Sequence, residues 1–144
     1  MNNYLKCLPA AIILGLSMYL PAKKTTQSTT ENKDISFAVY KSHSYKANVY
    51  NSTSAEVRIV VEKVNRGGQH TIVWEKTMNA ESLSQYPTVE NALKQNIVVH
   101  HINNKKEYLV VDYTLIYNSK GSELQMHDTT IVKNNNPHDI NIII

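Results

Sequence analysis

Cysteine, glycine and arginine are scarce in this chain, and each scarcity excludes a class of site. Its single cysteine is Cys7, so no disulfide can form within the chain. Its four glycines form no phosphate-binding loop, and no GxSxG nucleophile elbow is present. The six histidines form no HxH, HxxxH or HExxH spacing, which are the common zinc-binding signatures. The sequence therefore predicts neither a metal site nor a cofactor, and it indicates a non-enzymatic protein.

Clustered positive charge is also missing. The chain has 15 basic and 12 acidic residues, and these charges are scattered along its length. Only two of the basic residues are arginines, which leaves little material for bidentate recognition of phosphate. A nucleic-acid surface needs clustered Lys and Arg. We therefore expect no nucleic-acid partner.

The first 22 residues have the pattern of a secretory signal peptide. Lys6 precedes an apolar run from Cys7 to Leu20, and Pro21-Ala22 supplies a small residue for cleavage. The alternative is a retained anchor, but a membrane-spanning helix needs roughly 20 apolar residues and this run is shorter. Cys7 precedes the apolar run, whereas a lipidated cysteine would follow it. The pattern predicts export to the periplasm, the outer-membrane surface or the medium, with membrane contact only through the uncleaved segment.

Behind this segment we expect a polar leader over residues 23–34 and one domain over residues 35–144. The leader is rich in Thr and shows no apolar periodicity, which is typical of a flexible segment. Cleavage after Ala22 leaves no cysteine. The domain must therefore be held together by its hydrophobic core alone, and its length is sufficient for one.

Period-two alternation dominates the domain and predicts β-strands. Eight segments show it, including a clear hairpin in which residues 55–64 pair with residues 70–78 across Gly67-Gly68. Apolar residues also alternate over residues 45–50, predicting a strand there, and over residues 140–144, predicting a C-terminal strand. Trp74 is predicted to be a core residue on one face with Ile72 and Met78.

One segment departs from this alternation. Residues 83–94 favour one or two short helical turns broken at Pro87. The resulting fold class is all-β: a single antiparallel β-sandwich, immunoglobulin-like, of seven to eight strands with one short helical insertion.

The adjacent histidines His100 and His101 pose the clearest question of chemistry. In a regular strand neighbouring side chains point to opposite faces, so the two are not expected to bind one ion together. A cross-strand site such as His127 with Asp128 remains an alternative. Asp112 lies in the longest strand. A cleft joining it to a histidine and a second acid would indicate an enzyme, and a small secreted hydrolase is accordingly one alternative function.

Tyrosine is the one abundant aromatic residue, with nine in the chain. The alternation places Tyr45, Tyr113 and Tyr117 on apolar faces, where they are expected in the core. It places Tyr40, Tyr50 and Tyr108 on the opposite faces. These three are the candidate binding residues, because tyrosine combines an apolar ring with a polar tip.

The segments "TIVWEKTM", "ESLSQYPTVENAL" and "EYLVVDYTLIYNSKGSEL" resemble small exported proteins of Bacteroidota. The resemblance covers about residues 35–125. It implies a periplasmic or surface location and an immunoglobulin-like sandwich, without paired cysteines. It carries no functional residue.

Two functions from different classes follow from the sequence. The first is a non-catalytic exported envelope module that binds another envelope protein, using sheet edges for strand addition. The second is a glycan-binding module that uses the three candidate tyrosines as a flat platform. An uncovered terminal strand over residues 140–144, or a sizeable apolar patch, would favour the protein partner.

Overall fold

The computed structural model describes residues 30–132 and 137–144. The predicted signal peptide and residues 23–29 of the predicted leader lie outside the described residues. The first strand begins at Glu31, so residues 31–34, which were assigned to the leader, belong to the folded domain. No helix in the described part of the chain is long and apolar enough to cross a membrane.

The described chain consists mainly of strands. The strands are β1 Glu31–Tyr40, β2 Thr53–Asn65, β3 His70–Ser82, β4 Leu93–Ile102, β5 Glu107–Ser119, β6 Ser122–Val132 and β7 His138–Ile143. The helical elements are the short helix α1, Ala47–Tyr50, and two single 3-10 turns, Leu83–Gln85 and Val89–Asn91.

The strands form two sheets that pack face to face. One sheet has three strands in the order β4-β1-β7, and the other has four in the order β3-β2-β5-β6. The predicted all-β sandwich is confirmed, with seven strands among the described residues. The four-and-three count matches a constant-type immunoglobulin domain, but the strands are distributed differently between the two sheets. One pair differs from the antiparallel prediction, because β1 and β7 run parallel.

The predicted hairpin is confirmed. Strands β2 and β3 pair from Ser54↔Ser82 to Val64↔His70, and the turn uses Gly68 at a φ of 78°, which glycine adopts without strain. The register shifts between Val61↔Trp74 and Glu62↔Ile72. This bulge turns Ile72 away from the face of Trp74, and Ile72 is exposed. The prediction that Ile72 shares the core face is therefore wrong.

The core lies between the sheets and is built from the alternating apolar residues of the central strands. Phe37 of β1 is fully buried and stacks on Trp74 of β3, with ring centroids 5.4 Å apart and an interplanar angle of 9°. Trp74 is half-buried and packs against the core. Stacked aromatic pairs of this kind add stability beyond the area that they bury. This pair ties the two sheets together.

A buried tyrosine fixes the connection that leads from β3 to β4. The hydroxyl of Tyr86 donates a hydrogen bond of 2.8 Å to the carbonyl oxygen of Ala55 in β2. Ala55 lies beside a second register shift of the hairpin, between Ala55 and Val57. Burial is the main cause that raises the pKa of Tyr86 to about 12.

One local prediction is wrong and another holds. Residues 45–50 were predicted to be a strand, but residues 47–50 form α1. This segment joins strands of different sheets, and its first residues are held in a turn by a hydrogen bond from Tyr45 N–H to the carbonyl of Ser42. The predicted short helical turns broken at Pro87 are confirmed as the two 3-10 turns, and only the end of the insertion differs, because β4 already begins at Leu93.

Candidate functional site

The C-terminal strand β7 has a strand partner on one side only. It pairs with β1, from Ile35↔His138 to Tyr40↔Ile143, and no other described strand lies beside it. The amide of Ile144 donates to the carbonyl of Tyr40, at 2.9 Å, and the carbonyl of Ile144 accepts from Ser42 at 2.8 Å. The described residues therefore leave the far edge of β7 without a ladder of hydrogen bonds.

The direction of each backbone group on β7 follows from this pairing. In a parallel ladder, the residues that bond to a given neighbour alternate along the strand. Ile144, Ile142 and Ile140 therefore direct their backbone groups toward β1, and their side chains pack against the core. Asn141 and Ile143, together with Asp139, direct theirs toward the free edge.

Opposite this edge, the inner face of β6 is uncovered at Leu124 and Met126, whereas Val132 at the end of the strand is buried. Leu124 and Met126 face the same way as Tyr117 and Leu115, their partners on β5, yet they are 60% and 54% exposed. Leu115, by contrast, is 4% exposed. The apolar pattern of a core-facing strand thus continues onto β6, although the part of β6 that holds Leu124 and Met126 is left uncovered.

The uncovered face results from the unequal width of the two sheets. Strand β4 lies over β3, as shown by the hydrogen bond of 2.7 Å from Lys76 Nζ to Gln95 Oε1. Strand β1 lies next to β4, and its Phe37 stacks on Trp74. Counted from this side, β4, β1 and β7 cover only part of the four-stranded sheet. The fourth strand of that sheet, β6, therefore has no strand packed against it among the described strands. We call the free edge of β7 and the inner face of β6 the open side.

A cavity of about 530 Å³ lies at one end of the open side, between the start of β6, the end of β7 and α1. We call it the tyrosine cavity, after three of the side chains that line it, which are Tyr45, Tyr50 and Tyr117. The rings of Tyr45 and Tyr50 stack with centroids 6.1 Å apart. Leu124 and Met126 form its outer wall.

Polar groups are few along the inner face of the open side. Tyr113 Oη donates a hydrogen bond of 2.8 Å to Asp128 Oδ2 on β6. Burial, followed by this hydrogen bond, raises the pKa of Tyr113 to about 12. Burial also raises the pKa of Tyr117. Both tyrosines therefore stay neutral and can donate hydrogen bonds at physiological pH.

The three candidate binding tyrosines do not come together. Tyr40 is 9% exposed and belongs to the core, so the expectation that it lies on an exposed face is wrong. The carbonyl of Tyr40 accepts a hydrogen bond from the amide of Ile144. The amide of the next residue, Lys41, donates to the carbonyl of Pro87, in the connection between β3 and β4. Tyr50 and Tyr108 are exposed, as expected, at 43% and 42%.

Tyr50 and Tyr108 lie at opposite ends of the sandwich. Tyr50 is three residues before Thr53, the first residue of β2, whereas Tyr108 pairs with Val64 near its end. A strand rises about 3.3 Å per residue, so these ends are roughly 36 Å apart. The three residues therefore form no common platform, and a binding role for any one of them stays a prediction.

A second group of polar side chains lies on the outer face of the four-stranded sheet. Thr129 Oγ1 lies within hydrogen-bond distance of Asp112 Oδ1, at 2.5 Å, and of His127 Nε2, at 3.2 Å. His127 Nε2 is 3.8 Å from Asp112 Oδ1, and its Nδ1 is 3.3 Å from Thr114 Oγ1. His127 therefore lies beside Asp112. It does not pair with Asp128, its neighbour in sequence, which was the alternative site named from the sequence. None of these residues lines the tyrosine cavity.

His100 and His101 occupy a β-bulge. The register passes from Glu31↔Ile102 to Lys33↔Val99, so Asn32 alone lies opposite both histidines. His101 has a φ of 60°, and its amide donates to Asn32 Oδ1 at 3.3 Å. The two rings are 6.1 Å apart, so the regular alternation that we expected fails here. Among the described residues, no group of three or more His, Cys, Asp or Glu side chains could hold a metal.

The exposed residues of the open side could not be recognised from the sequence. Leu124 and Met126 alternate with polar residues and look like any core-facing pair. Their exposure depends on the number of strands in the opposite sheet, which local periodicity does not encode. The sequence pointed toward this region only through the predicted C-terminal strand, whose uncovered edge would favour a protein partner.

Comparisons of the chain with protein-family models, with curated proteins and with solved structures found no match. The resemblance to exported proteins of Bacteroidota stays a prediction. The open side and the tyrosine cavity are therefore interpreted from their own geometry.

Proposed function

We propose that this chain is a non-catalytic exported envelope module that binds another protein by accepting an extended segment of that protein along the free edge of β7. The observation that carries the proposal is the open side. A strand edge without a described partner lies there directly across from an uncovered apolar face. A single added strand would extend the three-stranded sheet beyond β7 and cover the exposed apolar side chains of β6.

Backbone hydrogen bonds along the free edge of β7 would bind a partner strand whatever its side chains are. The outward groups of Asp139, Asn141 and Ile143 can form a new ladder with an incoming strand. Each backbone hydrogen bond contributes a net of about 0.5–1.5 kcal/mol. Strand addition of this kind is a common mode of peptide recognition.

The apolar face supplies selectivity. Every second side chain of the added strand would point toward β6 and contact Leu124 and Met126. Complete burial of such a side chain contributes about 1.5–3 kcal/mol, and roughly half of each is still exposed here. The preferred partner segment is therefore extended, with apolar residues at alternate positions. Near Asp128, which already accepts from Tyr113, a polar residue fits better.

Export rests on the sequence alone. Lys6, the apolar run from Cys7 to Leu20 and Pro21-Ala22 support cleavage near residue 22. Expression of the full-length sequence with a C-terminal tag, followed by intact-mass measurement, should show the loss of about these 22 residues. Recovery of the uncleaved chain from the inner membrane would contradict export without bearing on strand addition.

The test of strand addition uses one pair of variants at Asn141. Asn141→Pro removes an amide that points to the free edge, and it leaves the amides of Ile140 and Ile142, which face β1. Proline is tolerated at such an edge position. Asn141→Ala keeps the amide and loses only the side chain.

The two variants and the unmodified chain are used to capture proteins from an envelope extract of the encoding organism. A photo-crosslinker at Ile143 identifies the segment that lies beside β7. We expect the unmodified chain and Asn141→Ala to capture the same protein, crosslinked through an extended segment with alternating apolar residues. Asn141→Pro should fail to capture it. Equal capture by Asn141→Pro would contradict the proposal.

A further inference from the structure

The tyrosine cavity opens onto the path that a strand added beside β7 would follow. Ile144, which follows β7, lines the cavity on one side, and Leu124 and Met126 of β6 line it on another. An added strand would pair with the free edge of β7 and lie over the exposed face of β6, so it would run between these walls. Laterally neighbouring residues of a sheet point to the same face, and Ile144 packs against the core. The added residue beside Ile144 would therefore point into the cavity.

Exposed apolar side chains are concentrated around this cavity. Val49 of α1 is 59% exposed, and it lines the cavity together with the exposed Tyr50, Leu124 and Met126. The buried Leu83 also lines it. Contiguous apolar surface of this kind marks an interaction site.

Four hydroxyl groups at the cavity bond to one another in pairs. Ser42 Oγ and Ser44 Oγ lie 2.8 Å apart, and Thr53 Oγ1 donates to Ser119 Oγ at 3.1 Å. These pairs leave little hydrogen-bonding capacity for a polar group that enters. A polar side chain that loses water without gaining a partner costs free energy. The lining therefore favours an apolar side chain.

The charge at the cavity is turned away from it. Glu123 is the only charged side chain among the described residues that line the cavity. Because Leu124 faces inward, Glu123 beside it faces the outer side of the sheet. There its Oε1 accepts a hydrogen bond of 2.7 Å from Nε2 of Gln125. An incoming charged side chain would thus find no opposite charge directed into the cavity.

The size of the cavity favours a large side chain. A cavity of about 150 Å³ is sufficient for a benzene ring. The tyrosine cavity, with about 530 Å³, therefore has room for a side chain as large as that of Phe, whereas the methyl group of Ala would leave most of it empty.

We propose that the tyrosine cavity selects the protein partner by taking one large apolar side chain of the added strand, from the residue that lies beside Ile144. This inference rests on the proposed strand addition. In that mode of recognition, the backbone provides affinity and pockets for alternate side chains provide specificity. The partner segment would therefore carry a residue such as Phe, Leu or Met at the end that reaches the cavity.

Short synthetic peptides of alternating Thr and Val, flanked by lysines for solubility, test this assignment. Phe replaces the first Val in one peptide and the last Val in another, so that both directions along β7 are covered. Matched peptides carry Ala at the same positions. Binding to the purified chain is followed through the shifts of its amide resonances. One of the Phe peptides should bind about 10- to 100-fold more tightly than its Ala counterpart, the factor expected for burying one large apolar side chain.

A pair of Trp variants locates the effect. Val49→Trp fills the cavity from α1, at a residue outside β6 and β7. It should bring the binding ratio of the Phe and Ala peptides close to one and leave binding of the Ala peptide unchanged. Val98→Trp changes an exposed valine of β4 that does not line the cavity, and it should keep the full ratio.

The outcomes separate the pocket from strand addition. Equal binding of the Phe and Ala peptides, with shifts at the amides of Asn141 and Ile143, would overturn the pocket and leave strand addition intact. An unchanged ratio in Val49→Trp would also overturn the pocket. Full binding of the Phe peptide to Asn141→Pro would contradict the inference, because the side chain would then enter without the strand. Absence of binding by every peptide would count against both the pocket and strand addition.

Discussion

The amide of Ile144 donates a hydrogen bond to the carbonyl of Tyr40, and this contact sets the direction of every backbone group along β7. Because the residues that bond to β1 alternate, Ile142 and Ile140 also direct their backbone groups toward β1. Asn141 and Ile143 direct theirs outward. A C-terminal strand with one bonded edge is exposed to pairing with other chains. In this protein the exposed edge borders an apolar face and a cavity, and the proposed strand addition rests on this arrangement.

The buried tyrosine at the β3–β4 connection provides a stability prediction. Tyr86→Phe removes the hydrogen bond to the carbonyl of Ala55 and keeps the ring. A buried carbonyl that loses its partner costs about 1–3 kcal/mol. We expect the free energy of unfolding in urea to fall by an amount in this range. Tyr108→Phe, at an exposed position, should change it by less than about 0.5 kcal/mol. Equal effects of the two substitutions would contradict the hydrogen bond.

Stability should fall at alkaline pH. The pKa of Tyr86 is raised from 10.0 to about 12 in the folded chain, chiefly by burial, so between these values the folded state holds a proton that the unfolded state releases. The contribution of neutral Tyr86 is therefore complete below pH 10 and is lost as the pH rises toward 12. A shift of this size corresponds to about 2–3 kcal/mol.

Urea unfolding between pH 9 and pH 12 checks this prediction. The raised pKa of Tyr113 acts in the same direction, so the unmodified chain should lose stability steadily over this range. Tyr86→Phe has no proton to lose at this position and should decline less steeply. Parallel pH profiles for the two proteins would show that Tyr86 does not contribute.

The bulge at the histidine pair predicts unequal tolerance of adjacent positions. His101 has a φ of 60°, where a β-branched residue is strained by about 1–2 kcal/mol. His101→Val should therefore lower the free energy of unfolding by about that amount. His101→Gly should be tolerated, and His100→Val should have little effect, because positive φ is confined to His101. Equal loss for the two valine variants would mean that the bulge is absent.

The stacked pair across the core predicts a large loss of stability. Phe37 is almost fully buried against Trp74, and replacing a buried Phe with Ala typically costs about 3–5 kcal/mol. Phe37→Ala should also expose Trp74, the only tryptophan, and shift its fluorescence to longer wavelength in the folded protein. An unchanged emission maximum would contradict the stacking.

Local periodicity predicted most strands correctly, because each has one face against the core. The hairpin at Gly67-Gly68 could be recognised from its turn, since Gly68 supplies the positive φ that the turn requires. Periodicity failed at residues 45–50, where Tyr45, Ala47 and Val49 alternate but no described strand pairs with them. Hydrogen bonding to a neighbour, and not alternation alone, makes a strand.

The candidate site was less predictable than the fold. Leu124 and Met126 have the pattern of core residues, and only the unequal width of the sheets leaves them uncovered. Tyr40 has the pattern of a surface residue, but it is buried and is flanked by Ile144 and by the connection at Pro87. Both cases depend on contacts between segments far apart in sequence, which the alternation of a single strand does not contain.

Residue-resolved amide exchange on β7 tests strand addition most directly. In the free chain, the amides of Ile140 and Ile142 should be protected by β1, whereas those of Asn141 and Ile143 should exchange rapidly. In the complex with the captured protein, the amides of Asn141 and Ile143 should become protected as well. Rapid exchange at Asn141 and Ile143 in that complex, or strong protection of both in the free chain, would contradict the claim that β7 accepts a partner strand.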